Sequence, residues 1–471
     1  MTRTESSLLF IRDGVVVTAT DALPATVVVE DGRVRTLQAP SADLPDESDA
    51  RTIDASGCYV LPGGVDPHVH VATSLGEYTT ADGYAEASLA ALAGGTTTLV
   101  DFAISDGRLS PREEAERRIQ GAAGARCSVA LHGCVTQAFP GDVSGELSAL
   151  RDLGIYTVKL FTTYRDAFMA TPDQMYAVLS WLRDEAGLTY VHAEWDPMVH
   201  HLLVDRQRSG RAVPAEHPSV RPPESEVVAV RHVLAMAEEL HAPVYFVHLS
   251  TPRALRDVRE ARTRGASAYA ETCTHYLTLT EAAYAQPSGA EFVCCPPLRD
   301  AETVAQLVAA TNMGEVDAIG SDHCCFTQEQ KYRHADDLAQ MPYGLPGIEA
   351  RLPVILDELV VRGKLSWSRA VDLLSATPAR LNGLYPRKGT IAPGSDADIV
   401  IIDPRRNHRS LTVADLHMPT DVAPYAEHQP VAWPLWVIVG GKVAVEEGRL
   451  SDPGPGMGYM PGNHIAAVAH G

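Results

Sequence analysis

Short apolar segments separated by tight turns occupy both ends of the chain. Near the start they alternate with the Asp-Gly pairs at 13–14 and 31–32, a pattern typical of β-hairpins. Near the end the glycine pair at 440–441 precedes another such run. We therefore predict a small β-sandwich domain built from residues 1–57 and 386–471, with an exposed loop near residues 40–50. The apolar runs are 15–17, 26–29, 34–37, 398–402, 436–439 and 442–445.

Between these ends, β-prone apolar runs alternate with helical patterns. Pro111, Pro172 and Pro252 suit the first turn of their helices. Eight such alternations predict a (β/α)8 TIM-like barrel over residues 58–385, although periodicity alone also permits a doubly wound sheet. The predicted strands are 59–65, 97–104, 129–135, 156–161, 189–192, 244–249, 266–272 and 316–320, and the predicted helices are 111–123, 172–186, 225–240, 252–264 and 301–311.

The charge and the apolar pattern limit the classes of partner. The 471 residues include 39 basic and 60 acidic side chains, a net charge of −21, which argues against binding of nucleic acid or of anionic membrane surfaces. No apolar run approaches the roughly 20 residues that span a bilayer, so we expect a cytoplasmic protein. The eight cysteines contain no CxxC pair, which disfavours a cysteine-only zinc site and favours reduced thiols.

Potential metal ligands follow several of the predicted strands. Catalytic residues of such barrels lie at the carboxyl ends of the strands, and these side chains have that position. In an extended segment residues i and i+2 point to the same side, so a His-x-His pair can hold one ion, with zinc the favoured metal. The candidates are His68, His70, Lys159, His192, His248 and Asp322.

Lys159 is unusual because an ammonium inside a barrel is costly to bury and repels cations. Burial lowers a lysine pKa and exposes a reactive neutral amine, to which carbon dioxide can add to form an anionic carbamate. Taken singly, each of these residues has a more ordinary structural explanation, but their common position favours a site. Other polar residues lack that support: we assign structural roles to His275, His323, His200 and His201, and at most supporting roles to Asp101 and Glu271.

Several motifs together resemble those of the cyclic amidohydrolases, especially the dihydropyrimidinase and D-hydantoinase group. The resemblance covers about residues 55–400 and includes GTIAPGSDADIVIID, similar to the family's return into its β domain. The other motifs, in order, are PGGVDPHVH, KLFTTY, HAE, VHLS, CCPPLR and GSDHC.

The resemblance implies two Zn²⁺ per subunit, bridged by N6-carboxylated Lys159 and a hydroxide. His68, His70 and Asp322 would bind one ion, and His192 and His248 the other. It further implies that Tyr164 stabilises the oxyanion and Asp322 transfers the proton to the leaving nitrogen. Cys295 and Tyr343 would hold the substrate through backbone groups.

The implied activity is zinc-dependent hydrolysis of a cyclic amide, such as a hydantoin, dihydropyrimidine or cyclic imide, giving a ring-opened N-carbamoyl or amide acid. The alternatives are an allantoinase-like hydrolase and a non-catalytic scaffold related to dihydropyrimidinases. Cys295, Tyr343 and Trp195 replace the serine and asparagines usual in the family, which points to a modified pocket. The resemblance also implies a homo-oligomer, a tetramer or a dimer.

Overall fold

A computed structural model describes residues 8–40, 50–105, 107–139, 141–405 and 409–465. Residues 41–49 of the predicted exposed loop lie outside these ranges. The strands are β1 Leu8–Val17, β2 Ala22–Glu30, β3 Arg33–Gln38, β4 Arg51–Asp54, β5 Tyr59–Pro62, β6 Gly64–His70, β7 Ser74–Leu75, β8 Tyr78–Thr79, β9 Thr96–Phe102, β10 Ser128–Cys134, β11 Thr157–Phe161, β12 Leu188–His192, β13 Val244–Phe246, β14 Ala268–Cys273, β15 Ala318–Gly320, β16 His323–Cys324, β17 Ile399–Ile402, β18 Pro434–Val439, β19 Lys442–Glu446, β20 Arg449–Leu450 and β21 Gly458–Tyr459.

The helices lie mostly between the strands of the central region. In the described ranges, no helix is both long and apolar enough to cross a bilayer. The α-helices are α1 Tyr84–Ala93, α2 Pro111–Ala122, α3 Val143–Asp152, α4 Pro172–Asp184, α5 Asp196–Arg208, α6 His217–Val220, α7 Pro223–Leu240, α8 Pro252–Thr263, α9 Thr274–Thr278, α10 Ala301–Asn312, α11 Gln328–Tyr332, α12 Arg351–Ile355, α13 Trp367–Val371 and α14 Thr377–Leu381. Short 3₁₀ segments occur at Pro214–Glu216, Glu281–Ala285 and Gly289–Phe292, and π-helical turns at Leu356–Val361 and Asp372–Ala376.

The central sheet is a closed parallel barrel, as predicted. Its strand order is β15-β14-β13-β12-β11-β10-β9-β6-β16, and every pairing along that path is parallel. β15 and β16 are successive parts of one strand region: β15 pairs with β14, and β16 pairs with β6, which closes the ring. The carboxyl ends of all the strands therefore meet at one mouth.

A second sheet combines the two ends of the chain. It has the order β20-β19-β18-β17-β5-β1-β2-β3, with β4 paired to β1. Buried side chains from its two arms, including Val27 and Val29 on one arm and Ile399 and Ile438 on the other, share one apolar cluster. The sheet is thus folded over its own core, as expected for a sandwich-like β domain. The division of the chain at residues 57/58 and 385/386 stays a prediction.

The predicted first barrel strand, 59–65, is wrong in one respect. Tyr59–Pro62 pairs with β1 and β17 in the terminal sheet, and only from Gly64 does the chain pair with β9 in the barrel. Both halves are apolar and buried, so the apolar run continues across the change of sheet. The other seven predicted strands and all five predicted helices occur with shifts of a few residues at their ends.

A buried ion pair fixes the strand end that carries the two candidate histidines. Asp101 at the end of β9 accepts hydrogen bonds from the backbone nitrogens of Val71 and Phe102. Arg118 of α2 donates to Asp101 at 2.7 Å, to Glu114 at 2.8 Å and to the Val71 carbonyl at 2.5 Å. The Arg118–Asp101 ion pair therefore connects helix α2 to Val71, the residue that follows His70.

We predict that Arg118→Met lowers the free energy of unfolding by about 3–5 kcal/mol, because it leaves the Asp101 carboxylate buried and unpaired. Equilibrium urea denaturation measures the loss. Arg117→Met is the matched control: Arg117 pairs with the same Glu114, but its side chain is 50% exposed against 1% for Arg118. We expect a change of about 0–1 kcal/mol for the control. Equal losses in the two variants would contradict the assignment.

Candidate active site

A cavity of about 200 Å³ opens at the carboxyl-terminal mouth of the barrel. The structure brings all nine predicted site residues to its wall, although they come from distant parts of the sequence. They are His68, His70, Lys159, Tyr164, His192, His248, Cys295, Asp322 and Tyr343. The six candidate ligands were predicted from their positions at strand ends, and Tyr164, Cys295 and Tyr343 from the family resemblance. The closure of the barrel is the physical reason that all of them meet at one cavity.

The first ligand group consists of His68, His70 and Asp322. The two histidines project from the same side of β6, while Val69 between them is buried in the apolar layer on the other side. Asp322 Oδ1 lies 3.1 Å from His68 Nε2 and 3.3 Å from His70 Nε2. These three side chains place one ligand atom each within 4.8 Å of one another, a separation compatible with a shared divalent cation.

The second group, His192 and His248, lies beside the first. The ring centroids of His68 and His248 are 5.3 Å apart, and those of His248 and His192 are 4.5 Å apart. His192 Nε2 hydrogen-bonds the Glu194 carboxylate at 2.7 Å. In the neutral ring this leaves Nδ1 unprotonated, with its lone pair available to bind a metal ion. His248 Nδ1 is buried with no hydrogen-bond partner among the described residues. Such orphaned imidazole nitrogens fit a metal ion.

Lys159 lies between the two groups and is only 1% exposed. Its Nζ sits 4.7 Å from the centre of the Phe102 ring and 5.2 Å from that of Phe161. Among the described side chains no carboxylate forms an ion pair with it. Burial lowers the pKa of Lys159 to about 8, although Asp322 and Glu271 oppose the shift. This is the environment that favours a neutral, reactive amine.

Burial and charge also set the protonation states of the neighbouring groups. Burial alone would raise the pKa of Asp322, but His68 and His70 hold it well below its usual range. Burial lowers the pKa of His70, of His192 and, most strongly, of His248. Burial would lower the pKa of His68 as well, but the carboxylates of Glu271 and Asp322 raise it. The site thus combines a carboxylate with three imidazoles whose pKa values are lowered, which favours the neutral form that binds metal.

Glu271 orients two of the candidate ligands, His68 and His248. It accepts hydrogen bonds from the His248 backbone nitrogen at 3.0 Å and the Tyr245 hydroxyl at 2.8 Å, and it joins His68 Nδ1 at 2.8 Å. It is fully buried at the floor of the site. A carboxylate that fixes the second nitrogen of a ligand histidine sets both its tautomer and its direction. We predicted only a supporting position for Glu271, and its contacts are of that kind.

Tyr164, Cys295 and Tyr343 also line the cavity. The Tyr164 ring lies 5.3 Å from the His192 ring. Burial raises the pKa of Tyr164 well above its ordinary value, so its hydroxyl keeps its proton and can donate. Tyr343 stacks on His217 with ring centroids 5.4 Å apart, and its hydroxyl donates to the Leu338 carbonyl.

Three site residues have left-handed backbone conformations, which side chains other than glycine rarely adopt. The φ angles are +66° at Tyr164, +41° at His248 and +48° at Asp322. In each case the residue follows a barrel strand and turns its side chain toward the cavity.

The rest of the cavity wall is apolar, and the sequence analysis did not identify it. Ile104, Phe168, Met341, Pro342 and Gly344 lie in loops, where hydrophobic periodicity carries no information. Leu75, Tyr78 and Cys324 lie in two-residue strands, and Phe161 ends β11, a strand-end position that was a usable signal. Glu194 was also missed, although its position two residues after His192 on an extended segment was a usable signal. The unpredicted lining residues are Leu75, Tyr78, Ile104, Phe161, Phe168, Cys324, Met341, Pro342 and Gly344.

The four histidines to which we assigned structural roles, His200, His201, His275 and His323, lie outside the two ligand groups. His200 and His201 are exposed on α5. His275 is buried, and neither ring nitrogen has a hydrogen-bond partner among the described residues. His323 lies near Asp82 and Cys325 in a second cluster of potential ligands.

That second cluster has a structural explanation. His323 Nδ1 accepts a hydrogen bond from the Gly347 backbone nitrogen at 3.1 Å, so the neutral ring carries its proton on Nε2, which contacts Asp82 at 2.7 Å. A metal on Nε2 would require a proton on Nδ1 and would break the first bond. Trp195, another departure from the family pattern, contacts the His232 ring instead of the cavity.

Comparisons with known proteins identify the relatives of this chain. The model of the amidohydrolase family matches residues 59–444. A D-hydantoinase of Rhizobium radiobacter is 36% identical over 444 residues, covering 93% of this chain and 95% of that protein. One from Geobacillus stearothermophilus is 34% identical, with 98% of each covered. The crystal structure of dihydropyrimidinase from Brevibacillus agri NCHU1002 superposes with a TM-score of 0.93 at 34% identity, covering 98% of this chain and 99% of that one.

We predict that Glu271→Gln weakens divalent metal binding about tenfold or more, because it removes the charge that aligns His68. Competition with a chelator measures the affinity. Glu349→Gln is the matched control, since the buried Glu349 holds the ring and backbone nitrogens of His417 at 2.7 Å each and does not line the cavity. An equal loss of affinity in the control, or none in Glu271→Gln, would refute the role of Glu271.

Proposed function

The chain belongs to the amidohydrolase family, and on that premise we propose that it hydrolyses the amide bond of a cyclic ureide or imide, such as a hydantoin or a dihydropyrimidine. The single observation that carries the proposal is the arrangement at the barrel mouth. Two groups of ligand side chains flank a buried lysine that has no carboxylate partner among the described residues.

The donor set fits two divalent cations, for which zinc is our proposal. His68, His70 and Asp322 would hold one, and His192 and His248 the other, with Lys159 carboxylated between them. The orphaned nitrogens His68 Nε2 and His248 Nδ1 and the absence of a charge partner for Lys159 among the described residues support this assignment. When bound, such ions supply a water nucleophile at neutral pH and polarise the scissile carbonyl.

The side chains of the protein perform the proton transfers and the orientation of the substrate. Asp322 enters the reaction as a carboxylate, because its neighbouring histidines hold its pKa low. It can therefore take the proton released during attack and deliver it to the leaving amide nitrogen. Tyr164 keeps its hydroxyl proton and can donate it in a hydrogen bond to the carbonyl oxygen as negative charge develops there.

The apolar wall favours a substrate with an apolar substituent on the ring. Leu75, Ile104, Phe168 and Met341 line the cavity and provide no charge. We place Cys295 and Tyr343 at the ring-binding wall, as the resemblance implies, where backbone groups of both segments hold the cyclic imide. We further propose a homo-oligomeric assembly, a tetramer or a dimer.

An allantoinase-like activity on another ureide is the second candidate, because Cys295 and Tyr343 alter the wall that contacts the ring. The non-catalytic alternative requires lost ligands, whereas all six proposed ligand residues line the cavity.

The proposal is tested by loading the purified protein with zinc and bicarbonate and screening ring opening. The panel contains dihydrouracil, alkyl and aryl hydantoins, allantoin and simple cyclic imides. We expect about two zinc ions per chain by elemental analysis, and the fastest turnover on hydantoins or dihydrouracil. A protein that binds two metals yet opens only allantoin would replace the first candidate by the second. No turnover on any member would overturn both.

We predict a single carbamate signal when the protein is loaded with zinc and ¹³C-bicarbonate and observed by ¹³C NMR. Lys159→Met should abolish it. The matched control is Lys331→Met: burial also lowers the pKa of Lys331 to about 8, but its Nζ donates to the carbonyls of Val293 at 2.7 Å and Pro342 at 3.1 Å. The control should keep the signal, and its loss there would reassign the modified lysine.

The rate at which the metal-free protein regains this signal should depend on pH. Carbon dioxide adds only to the neutral amine, so with a pKa of about 8 at Lys159 the neutral fraction increases with pH and levels off above that value. At constant dissolved CO₂ we expect the rate to rise roughly tenfold from pH 6 to pH 7 and to flatten above about pH 8. A rate still rising tenfold per unit above pH 9 would indicate an unperturbed lysine.

A further inference from the structure

Arg221 is a buried cation beside the cavity that the mechanism above does not use. It lies in the turn between α6 and α7 and is 3% exposed. Its guanidinium carbon is 5.1 Å from the centre of the Tyr164 ring and 5.3 Å from that of Tyr343. The guanidinium thus contacts two of the aromatic side chains that line the cavity, while Arg221 is not itself among the lining residues.

The same guanidinium reaches the metal-ligand side of the site through one carboxylate. Arg221 Nη1 donates to Glu194 Oε2 at 2.7 Å, and that oxygen also contacts His192 Nε2 at 2.7 Å. Glu194 is itself fixed, because Thr162 Oγ1 bonds both its backbone nitrogen and its carbonyl. A continuous chain of contacts therefore joins His192, Glu194, Arg221 and Tyr164.

Packing alone does not account for a charged group at this place. Replacing a buried ion pair by apolar side chains of similar volume is often neutral or stabilising, so a buried arginine is poor evidence for a stabilising role. The planar guanidinium, in contrast, can pair with a carboxylate along its edge while its faces stack on aromatic rings, which a lysine cannot do.

We propose that Arg221 is a positioning residue that holds the ligand His192 and the hydroxyl donor Tyr164 in a fixed relative position, with Tyr343 as the outer support of that arrangement. The proposal rests on the proposed function. It assigns two separable effects to one side chain: orientation of His192 through Glu194, and placement of the Tyr164 ring by direct contact.

Metal affinity tests the first effect without any substrate. We expect Arg221→Met and Glu194→Gln to bind one of two zinc equivalents about tenfold more weakly than the wild type, measured by chelator competition. Arg221→Lys keeps the charge next to Glu194, so its affinity should stay within about threefold of the wild type. Wild-type affinity in both Arg221→Met and Glu194→Gln would overturn this part of the proposal.

Turnover at saturating metal tests the second effect. Arg221→Met and Arg221→Lys should both lower kcat about tenfold or more, with a smaller change in KM, because only the donor to the developing charge is displaced. If Arg221 acts through Tyr164, the same change made in a Tyr164→Phe background should lower kcat by less than about threefold. Losses that multiply in the double variant would show that Arg221 does not act through Tyr164.

Arg299→Met is the matched control for loss of a buried arginine in this region. Arg299 is 3% exposed and donates to the Arg221 carbonyl at 2.6 Å and to Ser250 Oγ at 3.0 Å, and it makes no hydrogen bond to His192 or Tyr164 in the described structure. Its effect on kcat should multiply with that of Tyr164→Phe. If the effects of Arg299→Met and Tyr164→Phe on kcat were as non-multiplicative as those of Arg221→Met and Tyr164→Phe, Arg221 would have only a general structural role.

Two features keep the test decisive. If Arg221→Met fails to fold, as judged by near-ultraviolet circular dichroism, Arg221→Lys and Glu194→Gln separate the two effects without it. If the wild type hydrolyses none of the screened amides, the proposed function fails, while the metal affinities still decide whether Arg221 orients His192.

Discussion

The burial of the Lys159 side chain in the same cavity as the candidate metal ligands is the constraint on which the site depends. Its Nζ lies against the rings of Phe102 and Phe161 and has no carboxylate partner in the described structure. Two divalent ions and a free ammonium could not share this space, because all three carry positive charge. The proposed carboxylation converts the lysine into an anion and thereby makes the binding of two metals electrostatically feasible.

Buried charged side chains also surround the candidate metal ligands. Glu271, Glu194 and Asp101 are buried carboxylates, each on or just after a different barrel strand, and each contacts either a candidate ligand or the backbone beside one. Two of them are matched by the buried arginines Arg118 and Arg221. The ligand geometry is therefore set by a surrounding layer of ion pairs and hydrogen bonds, which explains how histidines from separate strands can have fixed ring orientations.

The backbone contributes its own constraint at the same place. Tyr164, His248 and Asp322 all have positive φ angles, a conformation of higher energy for residues with a β-carbon. The closed barrel and its buried contacts maintain these conformations at the site. Regular strands supply rigidity, and the first residues beyond them supply the direction of each side chain.

The amino-acid sequence by itself determined the alternation of strands and helices, the terminal β domain, and the candidate ligands at strand ends, because these depend on local periodicity and residue type. It did not show that the apolar run 59–65 divides between two sheets, since both sheets bury such residues equally. Nor did it identify Arg221, the partners of Glu271, or the apolar wall around Phe168 and Met341. Those features depend on contacts between residues far apart in the chain, and only the closure of the barrel brings them within hydrogen-bonding and packing distance.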